Sequence, residues 1–199
     1  MNHGVACAAN WTVARRIVVK GSSGAGKSTL AAELARRLDL PPIELDGLYH
    51  GPGWTAPAAG AFRDTVAGAL AAAPDGWVVD GNYDAALGQT VLDAADTIVW
   101  LDLPLRVKLL RVFRRTLGRL AGGDVELWNG NRESWRSAFA SRDSILVWAV
   151  RQHRAHRATF PAMFEGDPRL VRLRSDAQIR QWIEAVAEAA DRYRGSGSR

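Results

Sequence analysis

Short β-branched runs alternate along the chain with longer stretches whose apolar positions recur every three or four residues. Arg16-Ile-Val-Val-Lys20 reads as a first strand, because β-branched side chains suit a pleated surface better than a helix. Gly26 to Leu38 follows a helical period and closes on Asp39-Leu-Pro-Pro, where the prolines stop the helix. Pro42-Ile-Glu-Leu-Asp46 is a short second strand, followed by a glycine- and proline-rich loop from Gly47 to Gly60 and an alanine-rich helix to about Ala73. Trp77-Val-Val-Asp80 and Thr97-Ile-Val-Trp-Leu101 read as the third and fourth strands. Pro104 opens a basic helix to about Leu120, and a second long helix covers about Ser141 to Phe164. Arg169-Leu-Val-Arg-Leu173 is the fifth strand, with Asp176 to Tyr193 as the last helix. Strands alternating with helices predict an α/β fold whose parallel sheet is covered on both faces.

The stretch from Ala121 to Asn131 is glycine-rich, polar and poorly periodic. One domain over residues 16–194 is therefore expected, between a loose N-terminal tail (1–15) and a C-terminal tail (195–199). A chain of 199 residues can bury a full core. No apolar run approaches the roughly 20 residues that span a bilayer, and the first residues lack the apolar centre of a secretion signal. Cys7, the single cysteine, falls in the N-terminal tail and cannot form an internal disulfide, which fits a reducing cytoplasm. The formal net charge is +5, and only Lys20, Lys27 and Lys108 among 26 basic residues are lysine. Composition bias explains most of the arginines, since alanine and glycine also run high; a few are expected to grip phosphate.

Gly21-Ser22-Ser23-Gly24-Ala25-Gly26-Lys27-Ser28 matches G-x-x-x-x-G-K-[ST], directly after a strand and directly before a helix. The glycines let the backbone curl so that successive N–H groups point at one anion, and the helix adds its positive end. Lys27 is placed to reach the β- and γ-phosphates of ATP, and the Ser28 hydroxyl to ligate Mg²⁺. Thr29 completes the nucleotide-binding stretch. A chance glycine-rich turn would not carry both flanks correctly.

In parallel α/β folds ligands gather at the carboxyl ends of the strands. Asp46 ends the predicted second strand, Asp80 the third, and Asp102 lies just past the fourth. Asp80 best fits the Mg²⁺ partner expected after an apolar strand. Asp46 is the candidate to take a proton from an acceptor hydroxyl, its alternative being a helix cap. Asp102 reads as the start of the next helix. Arg111, Arg114, Arg115 and Arg119 fall three to four apart on the basic helix, so several share a face and repel one another unless an anion lies near. Arg151-Gln-His-Arg-Ala-His-Arg157 reads as a solvated helix face. His3, His50, His153 and His156 lack partners at zinc-ligand spacing.

With these positions in place the chain resembles the nucleoside-monophosphate-kinase branch of phosphate-loop proteins, and within it the bacterial adenylate-kinase-like group often labelled topology modulation proteins. The likeness rests on residues 21–29, Leu45-Asp46 with Pro52-Gly-Trp54, Trp77-Val-Val-Asp-Gly-Asn-Tyr83, and Ala95 to Asp102 leading into the arginine helix. It implies a three-layer P-loop NTPase fold with a five-stranded parallel sheet, an acceptor-binding segment over about 46–73, and a lid over about 120–140. In similar kinases one arginine of the post-strand helix stacks on adenine and a later one stabilises the moving phosphoryl group; those roles fall on Arg111 and Arg115. Arg132, with Arg136, would be the lid arginine. One departure stands out. Adenylate kinases carry an arginine after the third strand that grips the monophosphate, and here the position is Asp84, with Arg63 the one candidate to compensate.

Three readings remain open from the sequence. The first is a Mg²⁺-dependent kinase moving the γ-phosphoryl group of ATP to a small-molecule acceptor, nucleotide-like or bearing a hydroxyl or a light charge. The second is a regulatory nucleotide-binding protein acting on nucleic acid or a protein partner, against which the modest charge and the missing nucleic-acid motif weigh. The third is a hydrolase without an acceptor.

Overall fold

A computed structural model describes residues 14–121, 128–131 and 145–196. Its strands are β1 (Arg16–Lys20), β2 (Pro42–Glu44), β3 (Trp77–Asp80), β4 (Thr97–Leu101) and β5 (Leu170–Leu173). They form one sheet in the order β2-β3-β1-β4-β5, with every neighbouring pair parallel. The described helices are α1 (Lys27–Leu38), α2 (Leu45–Tyr49), α3 (Ala59–Ala71), α4 (Asp84–Leu87), α5 (Thr90–Ala94), α6 (Leu105–Ala121), α7 (Ile145–Met163) and α8 (Asp176–Ser196), with a 3-10 turn at Pro52–Trp54. This is the expected α/β architecture. None of the described helices is long and apolar enough to cross a membrane.

Strand alternation builds the two cores. Along β1, Ile17 and Val19 join Leu30, Leu34 and Leu38 of α1 and Trp182 and Val186 of α8 on one face of the sheet. Val18 points the other way, joining Phe62 and Val66 of α3, Trp77, Val79, Ile98, Trp100, Phe160 of α7 and Phe164 just past its end. Ile17, Val18 and Val19 are wholly buried, as expected for a central strand covered on both sides. The register sets Val19 beside Asp80 and Asp80 beside Glu44, so the carboxyl ends of β1, β2 and β3 finish level. That common edge carries the site.

Several boundaries differ from the sequence reading. β2 ends at Glu44, so Asp46 stands in the first turn of α2 and not at a strand end. Leu45 explains the turn: it is 1% exposed, packed where a Cβ on Gly81 would meet its side chain, and an extended continuation would pull it out of the core. Residues 47–60 are not one open loop, since α2 and the 3-10 turn occupy part of them. The short helices α4 and α5, unforeseen from periodicity, bury Leu87, Val91 and Leu92 beside β3. α8 continues to Ser196, into the expected tail. Of the lid expected over about 120–140, residues 122–127 and 132–140 lie outside the described residues, as does the N-terminal tail through residue 13.

Leu34, fully buried between α1 and the sheet, offers a measure of this packing. Leu34→Ala should lower unfolding free energy by about 2–5 kcal/mol, read from the urea midpoint at unchanged slope.

Candidate functional site

The loop between β1 and α1 needs backbone that most residues resist. Gly24 (φ 76°) and Gly26 (φ 92°) are left-handed, and Gly26 is the residue from which α1 starts. Gly24 has a second constraint. A Cβ there would lie 2.4 Å from the Lys108 carbonyl oxygen, so α6 presses directly on the loop. Only glycine satisfies both demands.

Side chains from α6 then meet one loop residue after another. Lys108 Nζ donates to Ser22 Oγ (3.0 Å), Arg115 Nη2 to Ser23 Oγ (3.4 Å) and Arg111 Nη1 to the Ala25 carbonyl (3.3 Å). These three fall on one face at spacings of three and four, as the arginine pattern anticipated in part. Lys108 was not singled out by the sequence. Arg111 also pairs with Asp176, the first residue of α8, at 2.6 Å. Arg114 is exposed, and the Arg119 side chain lies outside the described set. From the opposite side Asn82 closes on the loop's first residue: Gly21 N–H donates to its Oδ1 (3.2 Å) and its Nδ2 donates to the Gly21 carbonyl (2.6 Å). Thr29 is exposed in the first turn of α1.

Ser28 and Asp80 come together as expected, Ser28 Oγ donating to Asp80 Oδ2 at 2.5 Å. Asp80 is 7% exposed, and its Oδ1 is buried without a hydrogen-bond partner. Burial raises its pKa, with Lys27 and Ser28 opposing and Asp46 and Glu44 adding to the rise. A desolvated carboxylate oxygen beside a serine hydroxyl fits Mg²⁺, which takes few protein oxygens and completes its octahedron with phosphate and water. Among the described residues no cluster of three or more His, Cys, Asp or Glu side chains could hold a metal by itself.

On the β2 side, Tyr83 Oη donates to Asp46 Oδ1 (2.6 Å) and lies 3.4 Å from His50 Nε2. Burial, then Asp46, raises the Tyr83 pKa, so the phenol keeps its proton. Tyr83 and Tyr49 rings lie 4.7 Å apart, Tyr49 and His50 5.2 Å, and His50 and Trp54 5.3 Å. An aromatic row thus leads outward from Asp46. The segment Trp128–Asn131, which falls within the expected lid, clips the row's outer end. Asn129 Nδ2 donates to the His50 carbonyl (2.6 Å), Asn131 Nδ2 to the Gly51 carbonyl (3.0 Å), and Trp54 N–H donates to Asn131 Oδ1 (2.9 Å). Trp54 is left-handed (φ 61°), which is costly for a bulky residue and is held by that last bond.

Other polar positions depart from the sequence reading. Asp84 forms a 2.5 Å ion pair with Lys20, itself 1% exposed, so it is not the unpaired acid that the missing arginine suggested. Burial lowers the Lys20 pKa, with Asp84 opposing. Asp102 does not start a helix, since α6 begins at Leu105. It is buried and takes Arg172 Nη2 at 2.6 Å, while Arg172 stacks over Trp100 at 4.1 Å. Residues 151–157 are not a wholly solvated face. His153 is buried with its Nδ1 3.1 Å from Lys108 Nζ, and His156 stacks on Phe160 at 4.3 Å. Burial first, then the Lys27 and Lys108 charges, pushes His156 down to about 4. Arg63 is exposed on α3. Arg132 and Arg136 lie outside the described residues.

No family model matches the sequence, and no curated protein matches it. Solved structures do. A gluconokinase from Sinorhizobium meliloti 1021 is similar over 91% of this chain and 94% of its own, with TM-score 0.52 and 19% identity. A shikimate kinase from Bacteroides thetaiotaomicron is similar over 89% of this chain and 98% of its own, with TM-score 0.53 and 18% identity. The chain has the fold of these phosphate-loop kinases.

Two expectations follow. Because burial raises the Asp80 pKa above its unfolded value, stability from this group is complete below the ordinary carboxyl range and is lost as pH rises through the raised value. In metal-free buffer Asp80→Asn should therefore melt higher than wild type at neutral pH, the gap closing as pH falls, and Mg²⁺ with nucleotide should reverse the order. Asn131→Ala should speed hydrogen exchange at the Trp54 amide roughly five- to tenfold, the scale of one lost hydrogen bond, without a comparable change at β1.

Proposed function

We propose that this protein is a Mg²⁺-dependent kinase that transfers the γ-phosphoryl group of ATP to a small acceptor hydroxyl. The observation that carries the reading is a second ordered carboxylate. Asp46 adds to the upward shift of Asp80, is oriented by Tyr83, and begins the aromatic row through Tyr49, His50 and Trp54. Mg²⁺ binding accounts for Asp80 and Ser28; it does not account for Asp46 or the row. A hydrolase needs neither. Fold likeness to two kinases of small molecules supports the reading without naming an acceptor.

The chain's own groups divide the work. N–H groups of residues 21–28 and the start of α1 hold the polyphosphate, and Lys27 reaches its terminal groups. Ser28 and Asp80 would hold Mg²⁺, which would neutralise charge on the phosphoryl oxygens. Arg111, between Ala25 and Asp176, flanks the place of the adenine; Arg115, on Ser23, stabilises the transferred group, with Arg132 assigned the same task. Asp46 accepts the proton from the acceptor hydroxyl as oxygen attacks the γ-phosphorus and ADP leaves.

The acceptor brings no phosphate of its own. Lys20 is committed to Asp84, and Asp46, oriented by Tyr83, adds negative charge where the acceptor would sit, which disfavours a dianion. Aromatic faces and one carboxylate suit a neutral polyhydroxy or ring-bearing compound. Labelled ATP turned over with a panel of gluconate, shikimate, nucleosides, simple sugars and AMP tests this. One uncharged or singly charged member should accelerate turnover, AMP should be slow, and Lys27→Ala should lose at least about 100-fold. ATP turnover that no member of a broad metabolite panel accelerates would contradict the kinase reading, and rapid saturable ADP formation from AMP would contradict the acceptor class.

A further inference from the structure

Behind the first turn of the phosphate loop lies a buried cation with no acid of its own. Lys108 is 2% exposed, and its ammonium lies 3.0 Å from Ser22 Oγ and 3.1 Å from His153 Nδ1. Lysine has donors only, so His153 Nδ1 accepts and its ring proton sits on Nε2. The main chain of the same residue bars any side chain at Gly24, so Lys108 touches the loop at two points. Among the described residues no carboxylate stands within ion-pair distance of it. Asp102, the acid whose field supports it, is already taken by Arg172 on β5 and lies 3.8 Å from Arg157 on α7. A buried charge left this way is costly until an anion arrives, and the loop it holds is the place where polyphosphate would bind.

We propose that Lys108 is a positioning residue for the nucleotide: its ammonium, shared between Ser22 and His153, supplies charge that bound polyphosphate compensates, so affinity depends on whether Lys108 carries its proton. The proposal rests on the nucleotide-binding half of the reading above and not on the acceptor. Burial holds Lys108 down at about 8, with Asp102 opposing and Arg157 and Lys27 adding to the fall. Below that value the ammonium is present and affinity is full. Above it, binding must first take up a proton, and affinity falls by up to tenfold per pH unit.

The groups facing Lys108 do not mimic this. His153 is pushed below the ordinary histidine value by burial and by Lys108, and His156 lies at about 4, so both are neutral above pH 8. Arg157 and Arg172, the cations beside Asp102, are the same in wild type and in every Lys108 variant. Lys20 is paired with Asp84, and Lys27 is present in wild type and in every Lys108 variant. Stability of the nucleotide-free fold moves in the opposite direction. Between about 8 and the ordinary lysine value the unfolded chain binds the proton more readily, so the Lys108 contribution to stability rises with pH while nucleotide affinity falls. A lysine that only packed would change the first and leave the second alone.

The test is titration of a fluorescent ATP analogue with Mg²⁺ at about pH 7 and about pH 9.5 on wild type, Lys108→Arg, Lys108→Met and Lys27→Ala. Wild type should lose about tenfold or more between the two values, Lys108→Arg less than about twofold, and Lys108→Met should bind about tenfold more weakly at neutral pH with little pH dependence. Equal losses in wild type and Lys108→Arg would overturn the proposal, as would wild-type affinity in Lys108→Met. If Lys108→Met does not fold, the comparison of wild type with Lys108→Arg decides. Unchanged affinity in Lys27→Ala is a different failure, removing the nucleotide site itself.

Discussion

Backbone N–H groups can converge on one anion only if the chain between β1 and α1 adopts conformations that favour glycine, and that strained curl must be held while no ligand is present. α6 supplies much of the hold. Its Lys108 carbonyl fills the space next to Gly24, and Lys108, Arg115 and Arg111 bond to Ser22, Ser23 and the Ala25 carbonyl. Asn82 secures Gly21 from the other side. Like charges on one helix face repel, and each of these cations is spread over loop oxygens. An anion at the loop relieves the repulsion further, so the same contacts that shape the loop favour an anionic ligand.

The rest of the edge follows from strand register. Asp80 sits beside Val19 because β3 pairs with β1 residue for residue, which brings its carboxylate to the Ser28 hydroxyl. Leu45 must stay in the core, so β2 breaks off at Glu44 and α2 carries Asp46 and Tyr49 towards Tyr83. Asn129 and Asn131 then hold residues 50–54 from a segment far along the chain. The proposed nucleotide and acceptor sides are thus neighbours by topology, and the polar clips refine what the register places.

The strands were legible because β-branched runs such as Ile17-Val18-Val19 have few other uses, and the phosphate loop because its motif carries its own context. Lys108 was not legible as a loop contact. Its partner Ser22 is 86 positions away, and only the fold brings α6 against the loop. The Lys20–Asp84 pair hid for the same reason: Asp84, at the start of α4, read as an unpaired acid because its lysine stands 64 positions away at the end of β1. α4 and α5 escaped notice because helices of four and five residues hold little more than one turn of periodicity. His153 and His156 were concealed among arginines that do face solvent, where composition outweighs the two inward positions.

On the function proposed above, nucleotide affinity resides in the polyphosphate held between this loop and α6. Calorimetric titration with inorganic tripolyphosphate and Mg²⁺, against adenosine under the same conditions, tests it most directly. Tripolyphosphate should bind and displace an ATP analogue, and adenosine should bind far more weakly. Adenosine competing well while tripolyphosphate does not would contradict it.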